Sequence, residues 1–166
     1  MQANASMKSK DGDISSWHPD IQEIYRYWLA IHPESGLPGR QHFDPLDVGQ
    51  FLPRLWLLEV QHTPFRLWYR LAGTRVCELA GRELTGLWFD EAHSHIADKP
   101  DSLNRFRQVV GSGEPSRRRG TPNLFLVEKA DFTEIENLLM PLAQDGRTVD
   151  MILSYTVFYR LDGSEL

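Results

Sequence analysis

Several groups of residues in this sequence have types and spacings that could do chemistry. Glu134 and Glu136 stand two apart and alternate with Ile135 and Asn137. On an extended segment both carboxylates share a face, and such a pair does acid–base work when burial drives its two pKa values apart. The plainer reading is an exposed acidic strand face, and that is the expectation. His93 and His95 are also two apart, with Glu91 and Asp98 close by. A metal centre needs three or four converging ligands, so these histidines read first as solvated loop side chains and no metal is expected. Cys77 is the one cysteine. Isolated cysteines usually pack as small hydrophobes, and core packing is expected here. Arg117-Arg118-Arg119, with Arg105 and Arg107 upstream, offers forked donors that suit a phosphate or an acidic partner. Its competitor is an edge strand kept soluble by charge. No phosphate-binding glycine loop, nucleophile elbow or HExxH motif is present.

Composition narrows the classes. The formal net charge is −5, so a whole-domain basic footprint for nucleic acid is absent. A single cysteine rules out a disulfide framework within the chain. No apolar stretch approaches the roughly 18 residues of a membrane span, and the start, MQANASMKSKDGDISS, lacks the apolar core of a signal peptide. The expectation is a cytoplasmic protein that binds neither nucleic acid nor membrane. A length of 166 residues fits one domain with short extensions.

The elements that must position these residues follow from periodicity. Residues 1–16 are polar and read as a disordered tail. Residues 17–35 hold an amphipathic helix and a link. In Trp17 to Ile31 the residues Ile21, Ile24, Tyr25, Trp28 and Ile31 form one apolar stripe. Pro33 ends it. Residues 36–166 form the main domain. Leu46 to Leu52 reads as a short helical segment stopped by Pro53. Leu55 to Val60 and Phe65 to Leu71 read as paired strands, with Leu67, Tyr69 and Leu71 facing one way. Thr74 to Ala80 reads as a short helix with Thr74 accepting at its start and Gly81 as a left-handed cap. Asp98 to Val110 reads as a longer helix closed by Gly111, with Leu103, Phe106, Val109 and Val110 inward. Arg117 to Val127, Phe132 to Leu142 and Thr148 to Leu161 read as strands, the last two joined at Asp145-Gly146. In the final strand Val149, Met151, Leu153, Tyr155, Val157 and Tyr159 share a face. This order predicts an α+β domain with one antiparallel sheet.

The order and one stretch of sequence are similar to a known family. Tyr69 to Gly86 reads YRLAGTRVCELAGRELTG, with Leu52-Pro53-Arg54 upstream and Met140-Pro141-Leu142 downstream. This resembles a bacterial family of single-domain PAS proteins, over about His18 to Arg160. The resemblance implies a five-stranded antiparallel sheet covered on one face by short helices, with a pocket between helix and sheet. It implies a sensory or regulatory role and names no cofactor. Light-sensing PAS domains carry their cysteine in a different motif from the one around Cys77, and haem-binding ones place a histidine on the longer helix, which Asp101 to Val110 lacks.

On that basis the pocket is expected among Tyr69, Leu71, Val76, Cys77, Phe106 and Val110, with Met151 and Tyr155 from the last strand. Tyr69, Arg75 and Tyr155 are its polar anchors. The helix residues Trp17, Ile21, Ile24, Tyr25 and Trp28 are expected at a homodimer interface or on the chain's own core. The function expected is a non-catalytic sensory module that binds a small molecule or a signalling protein and acts in trans. Two alternatives stand beside it. One is a small cone-shaped α+β enzyme of isomerase or dehydratase type, using Glu134 or Glu136 with Tyr155. The other is a purely structural dimerisation module.

Overall fold

The computed structural model describes residues 13–96, 99–122 and 132–166. The first helix, α1, spans Pro19–Ala30. Proline suits the first turn, where its missing N–H costs nothing. His18 caps the helix, its Nδ1 accepting from the Asp20 N–H at 3.1 Å. The expected stripe is the buried one: Ile21, Ile24, Tyr25 and Trp28 are all inward. A kinked 3-10 stretch, Pro45–Arg54, follows and delivers the chain into the sheet.

The strands are β1 (Leu55–Gln61), β2 (Arg66–Ala72), β3 (Ser116–Gly120), β4 (Glu134–Leu142) and β5 (Met151–Tyr159). They form one antiparallel sheet in the order β2-β1-β5-β4-β3. The two early strands and three late ones therefore close side by side, as expected. β5 sits in the middle and is buried on both faces, which explains its nearly continuous apolar sequence. The last strand is shorter than Thr148 to Leu161, because the connection is wider than a two-residue hairpin. There the Asp145 carboxylate accepts from the Arg147 and Thr148 N–H groups at 2.8 and 2.7 Å. The expected strand from Arg117 ends at Gly120, and residues 123–127 lie outside the described set.

Helices cover both faces of the sheet. On one face α1 packs over Leu138, Met140, Leu153, Tyr155 and Val157. Trp28 anchors it by donating its indole N–H to the Pro141 carbonyl at 3.0 Å. Burying each large side chain of α1 contributes about 1.5–3 kcal/mol. On the other face lie α2 (Thr74–Ala80), α3 (Phe89–Ala92) and α4 (Asn104–Ser112). They enclose Trp56, Leu58, Leu139, Ile152 and Phe158.

Some local expectations are corrected. Thr74 does not cap α2; Gly73 holds the cap position and no side chain bonds there. Gly73 is needed for a different reason: a Cβ on it would collide with the Leu52 and Pro53 carbonyls, where α2 starts against the 3-10 stretch. The longer helix is capped by Gly113 in the left-handed region, not by Gly111. Before α4 the chain makes a 3-10 turn, Pro100–Leu103, and Asp98 lies outside the described residues. Finally, Leu71 does not share a face with Leu67 and Tyr69. The β1–β2 register jumps between Leu57↔Leu71 and Leu58↔Tyr69. Arg70 is the extra residue of this bulge, so Leu71 turns to the α1 face while Tyr69 stays on the other.

Candidate functional site

The face covered by α2, α3 and α4 carries an aromatic wall with polar groups set into it. Tyr69 stacks on Phe89 at 5.6 Å and lies 5.9 Å from Trp56. Phe106 meets Trp56 at 6.3 Å and Phe89 at 5.3 Å. These rings come from β1, β2, α3 and α4, so the layer holds together through them. Set into it, the Tyr69 hydroxyl lies 2.7 Å from His93 Nε2. Burial, with Cys77 a lesser cause, pushes the Tyr69 phenol well above its ordinary pKa.

A second polar cluster crosses the same face. Asn137 is 3% exposed. Its amide donates to Ser154 Oγ at 2.8 Å and Thr156 Oγ1 at 3.0 Å. Trp56 donates to the same Thr156 oxygen at 2.9 Å. The half-buried Arg105 of α4 reaches in and donates to Asn137 Oδ1 at 2.5 Å, Ser116 Oγ at 2.9 Å and the Ser116 carbonyl at 2.6 Å. No carboxylate among the described residues contacts it. Burial, then Arg118, pulls its pKa down to about 10. Among the described residues the charge is thus held by neutral acceptors, an arrangement that suits a negatively charged or electron-rich guest.

The expected pocket residues divide between the two faces. Tyr69, Val76 and Phe106 are buried on the α2–α4 face, with Cys77 and Val110 at its margin. Leu71, Met151 and Tyr155 are on the α1 face, across the sheet, and cannot join the same pocket. Tyr155 donates to Asp20 at 3.1 Å. Arg75 is not an anchor either; it pairs with Glu78 on the surface of α2 at 3.1 Å. The Cys77 thiol points at Ala72 and Glu83, and burial raises its pKa, so it is not an activated nucleophile.

Other expectations change with burial. His93 is not a solvated loop side chain but 3% exposed, and its pairing with Tyr69 has no signal in the local sequence. Its ring lies 6.2 Å from that of His95, on a 3-10 turn and not an extended segment. Glu136 is not on an exposed acidic face. It is fully buried, and the His18 N–H, Arg117 and Tyr159 bond its oxygens. Its place is structural, tying β3, β5 and the start of α1 to β4. Glu134 pairs with Arg119 at 2.8 Å. Arg117 and Arg119 are therefore spent on carboxylates, and the arginine run lies on the edge strand β3. Ile21, Ile24, Tyr25 and Trp28 are buried against the chain's own sheet, with Trp17 half-buried beside Tyr25.

One metal-like cluster exists among the described residues: His18, Asp20 and Glu165 bring ligand atoms within 4.8 Å of one another. Arg54 already pairs with Glu165 and lies 4.0 Å from Asp20. His18 Nδ1 accepts from a backbone N–H, so Nε2 carries the proton it donates to Glu165 at 2.8 Å. The cluster is an ion-pair network, and a cation would meet a resident positive charge.

Among the described residues no helix is long and apolar enough to cross a membrane. No curated protein and no solved structure matches the chain. A family model described as PAS domain matches residues 16–156, which takes in α1, β1 to β4 and most of β5. The chain belongs to the PAS domain family.

Proposed function

We propose that this PAS domain is a non-catalytic sensory module that takes up a small molecule between α4 and the sheet and signals to a protein partner in trans. Sensing or regulation is the general role of the family. The observation that carries the ligand reading is Arg105: a half-buried cation, held by Ser116 and Asn137, with no carboxylate contact among the described residues. Beside it stands an aromatic wall, and ligand sites are largely apolar surfaces with a few fixed polar groups. A ligand shifts such a module between states only by its differential affinity for them.

The test is native mass spectrometry of freshly purified protein, joined to thermal unfolding against a metabolite panel. The expected result is a compound that stabilises the protein by roughly 2.7 kcal/mol at a hundredfold excess over Kd, with the effect lost in Arg105→Lys. Absence of any bound mass and of any stabilisation would point to a protein adaptor. The same spectra report stoichiometry. The α1 stripe is occupied within the chain, so a homodimer would form through the outer side of α1, with Trp17 at its margin.

A further inference from the structure

The opposite, α1-side face of the sheet has a cleft of its own. Its volume is about 200 Å³. Leu55, Leu57 and Leu153 line it from β1 and β5, with Leu71 and Met151 beside them and Phe43 closing one side. At its rim are Arg40, Arg70 and Glu59.

No ion pair among the described residues involves Arg40, Arg70 or Glu59. Arg40 is held in place by donating to the Phe43 carbonyl at 2.9 Å and by lying 5.4 Å from the Phe43 ring, which leaves most of its donors open. Arg70 lies 5.8 Å from the Trp68 ring. The bulge in β2 sets Arg70 and Leu71 on this cleft, and bulges commonly re-aim side chains in this way.

We propose that this cleft binds a free apolar α-amino acid of about leucine size. Two forked cations match one carboxylate. Glu59, of the opposite sign on the same rim, matches an ammonium group. Leu71 and Met151, the partly buried apolar residues of the lining, receive the side chain over a floor of buried leucines. The cavity is smaller than the roughly 300–1,000 Å³ of a drug-sized site and suits a guest the size of a single residue. The guest would meet a surface separate from the Arg105 cluster, on the other side of the sheet.

The chain has four methionines, of which Met151 lines the cleft. Methyl-labelled methionine therefore gives few signals, one of them in the site. Titration with L-leucine is expected to move the Met151 methyl resonance. Isocaproate lacks the amine, isoamylamine lacks the carboxylate, and glycine lacks the side chain; each should bind at least about tenfold more weakly. Arg70→Ala at the surface and Glu59→Gln at a half-buried position should each weaken leucine by at least about tenfold. The proposal is overturned if leucine leaves Met151 unmoved at millimolar concentration. It is equally overturned if neither variant changes affinity, or if Arg105→Lys on the opposite face abolishes binding while they do not.

Discussion

The Glu136 carboxylate is fully buried and ends on the Arg117 guanidinium, which keeps 24% of its side chain in water. Tyr159 and the His18 N–H share the same carboxylate, so β3, β4, β5 and the start of α1 meet at this one group. Burial and then Glu136 push the Tyr159 phenol up to about 12, since ionising it would place two negative charges together.

Removing one member of such a pair leaves the other's charge poorly compensated. Fully buried pairs lose about 3–5 kcal/mol. Because Arg117 is partly hydrated, Glu136→Ala should fall near the lower end of that range. Arg117→Ala should cost less, and the double variant less than the sum. Urea unfolding of the three proteins checks this. An additive result would mean the two side chains act independently.

Tyr69→Phe removes the hydroxyl that faces His93 at 2.7 Å and leaves the ring packing on Phe89 and Trp56 intact. A buried group that loses its partner costs about 1–3 kcal/mol. The variant should unfold at lower urea with an unchanged m-value. Because burial holds the Tyr69 phenol well above the ordinary range, ultraviolet titration of the wild type should show this tyrosine ionising only as the protein unfolds in base. A normal alkaline titration for every tyrosine would contradict the buried geometry.

Gly73→Ala should be among the costlier glycine substitutions. Its Cβ would collide with the Leu52 and Pro53 carbonyls, both backbone, so relief requires moving α2 or the 3-10 stretch. Gly49 in the same stretch has open space around its would-be Cβ and no left-handed backbone. Gly49→Ala is therefore expected to be neutral or to stabilise by about 0.4–1 kcal/mol, through the unfolded chain. Calorimetry of the two variants separates them. Equal midpoints would remove the close approach as the reason for Gly73.

Strands and helices are legible because period-2 and period-3.6 patterns report which residues are buried, whereas the side-by-side closure of the early and late strands is implied by the PAS resemblance. The stripe Ile21, Ile24, Tyr25 and Trp28 is the clearest case, although the pattern cannot say against what it packs. Leu71 shows the limit: it continues the alternation of Leu67 and Tyr69, but the bulge at Arg70 reverses its face. Tyr155 and Met151 lie across the sheet from Tyr69, so the expected pocket cannot hold all three. Periodicity assigns residues to faces of one strand and leaves open which faces of two strands coincide. Ser154 and Thr156, alternating with Tyr155 and Val157, did carry a signal. Small polar residues on the second buried face of a central strand need partners, and Asn137 and Trp56 supply them. His93 and Glu136 were read as exposed because charge and polarity usually mean surface; their burial depends on contacts distant in sequence.

The Glu165 cluster predicts how stability responds to acid. Burial works to raise the Glu165 pKa, but hydrogen bonds from His18 and Arg54 outweigh it and hold it below the ordinary value. A carboxylate depressed in the folded state adds stability that is complete above its unfolded pKa of about 4.3. That stability is lost as pH falls through the lower folded value. Glu165 keeps 38% of its side chain exposed, so solvent screening makes the gain small. Glu165→Gln should therefore lower the unfolding midpoint modestly near neutral pH, and the gap to wild type should close as pH falls below the ordinary carboxylate pKa. Raising salt should narrow the neutral-pH gap as well, since the pair is partly exposed. Thermal melts across that pH range, with and without added salt, test both. A gap that is constant with pH would show that Glu165 contributes by packing and not by charge, and that Arg54 and His18 hold the Glu165 segment without an ion pair.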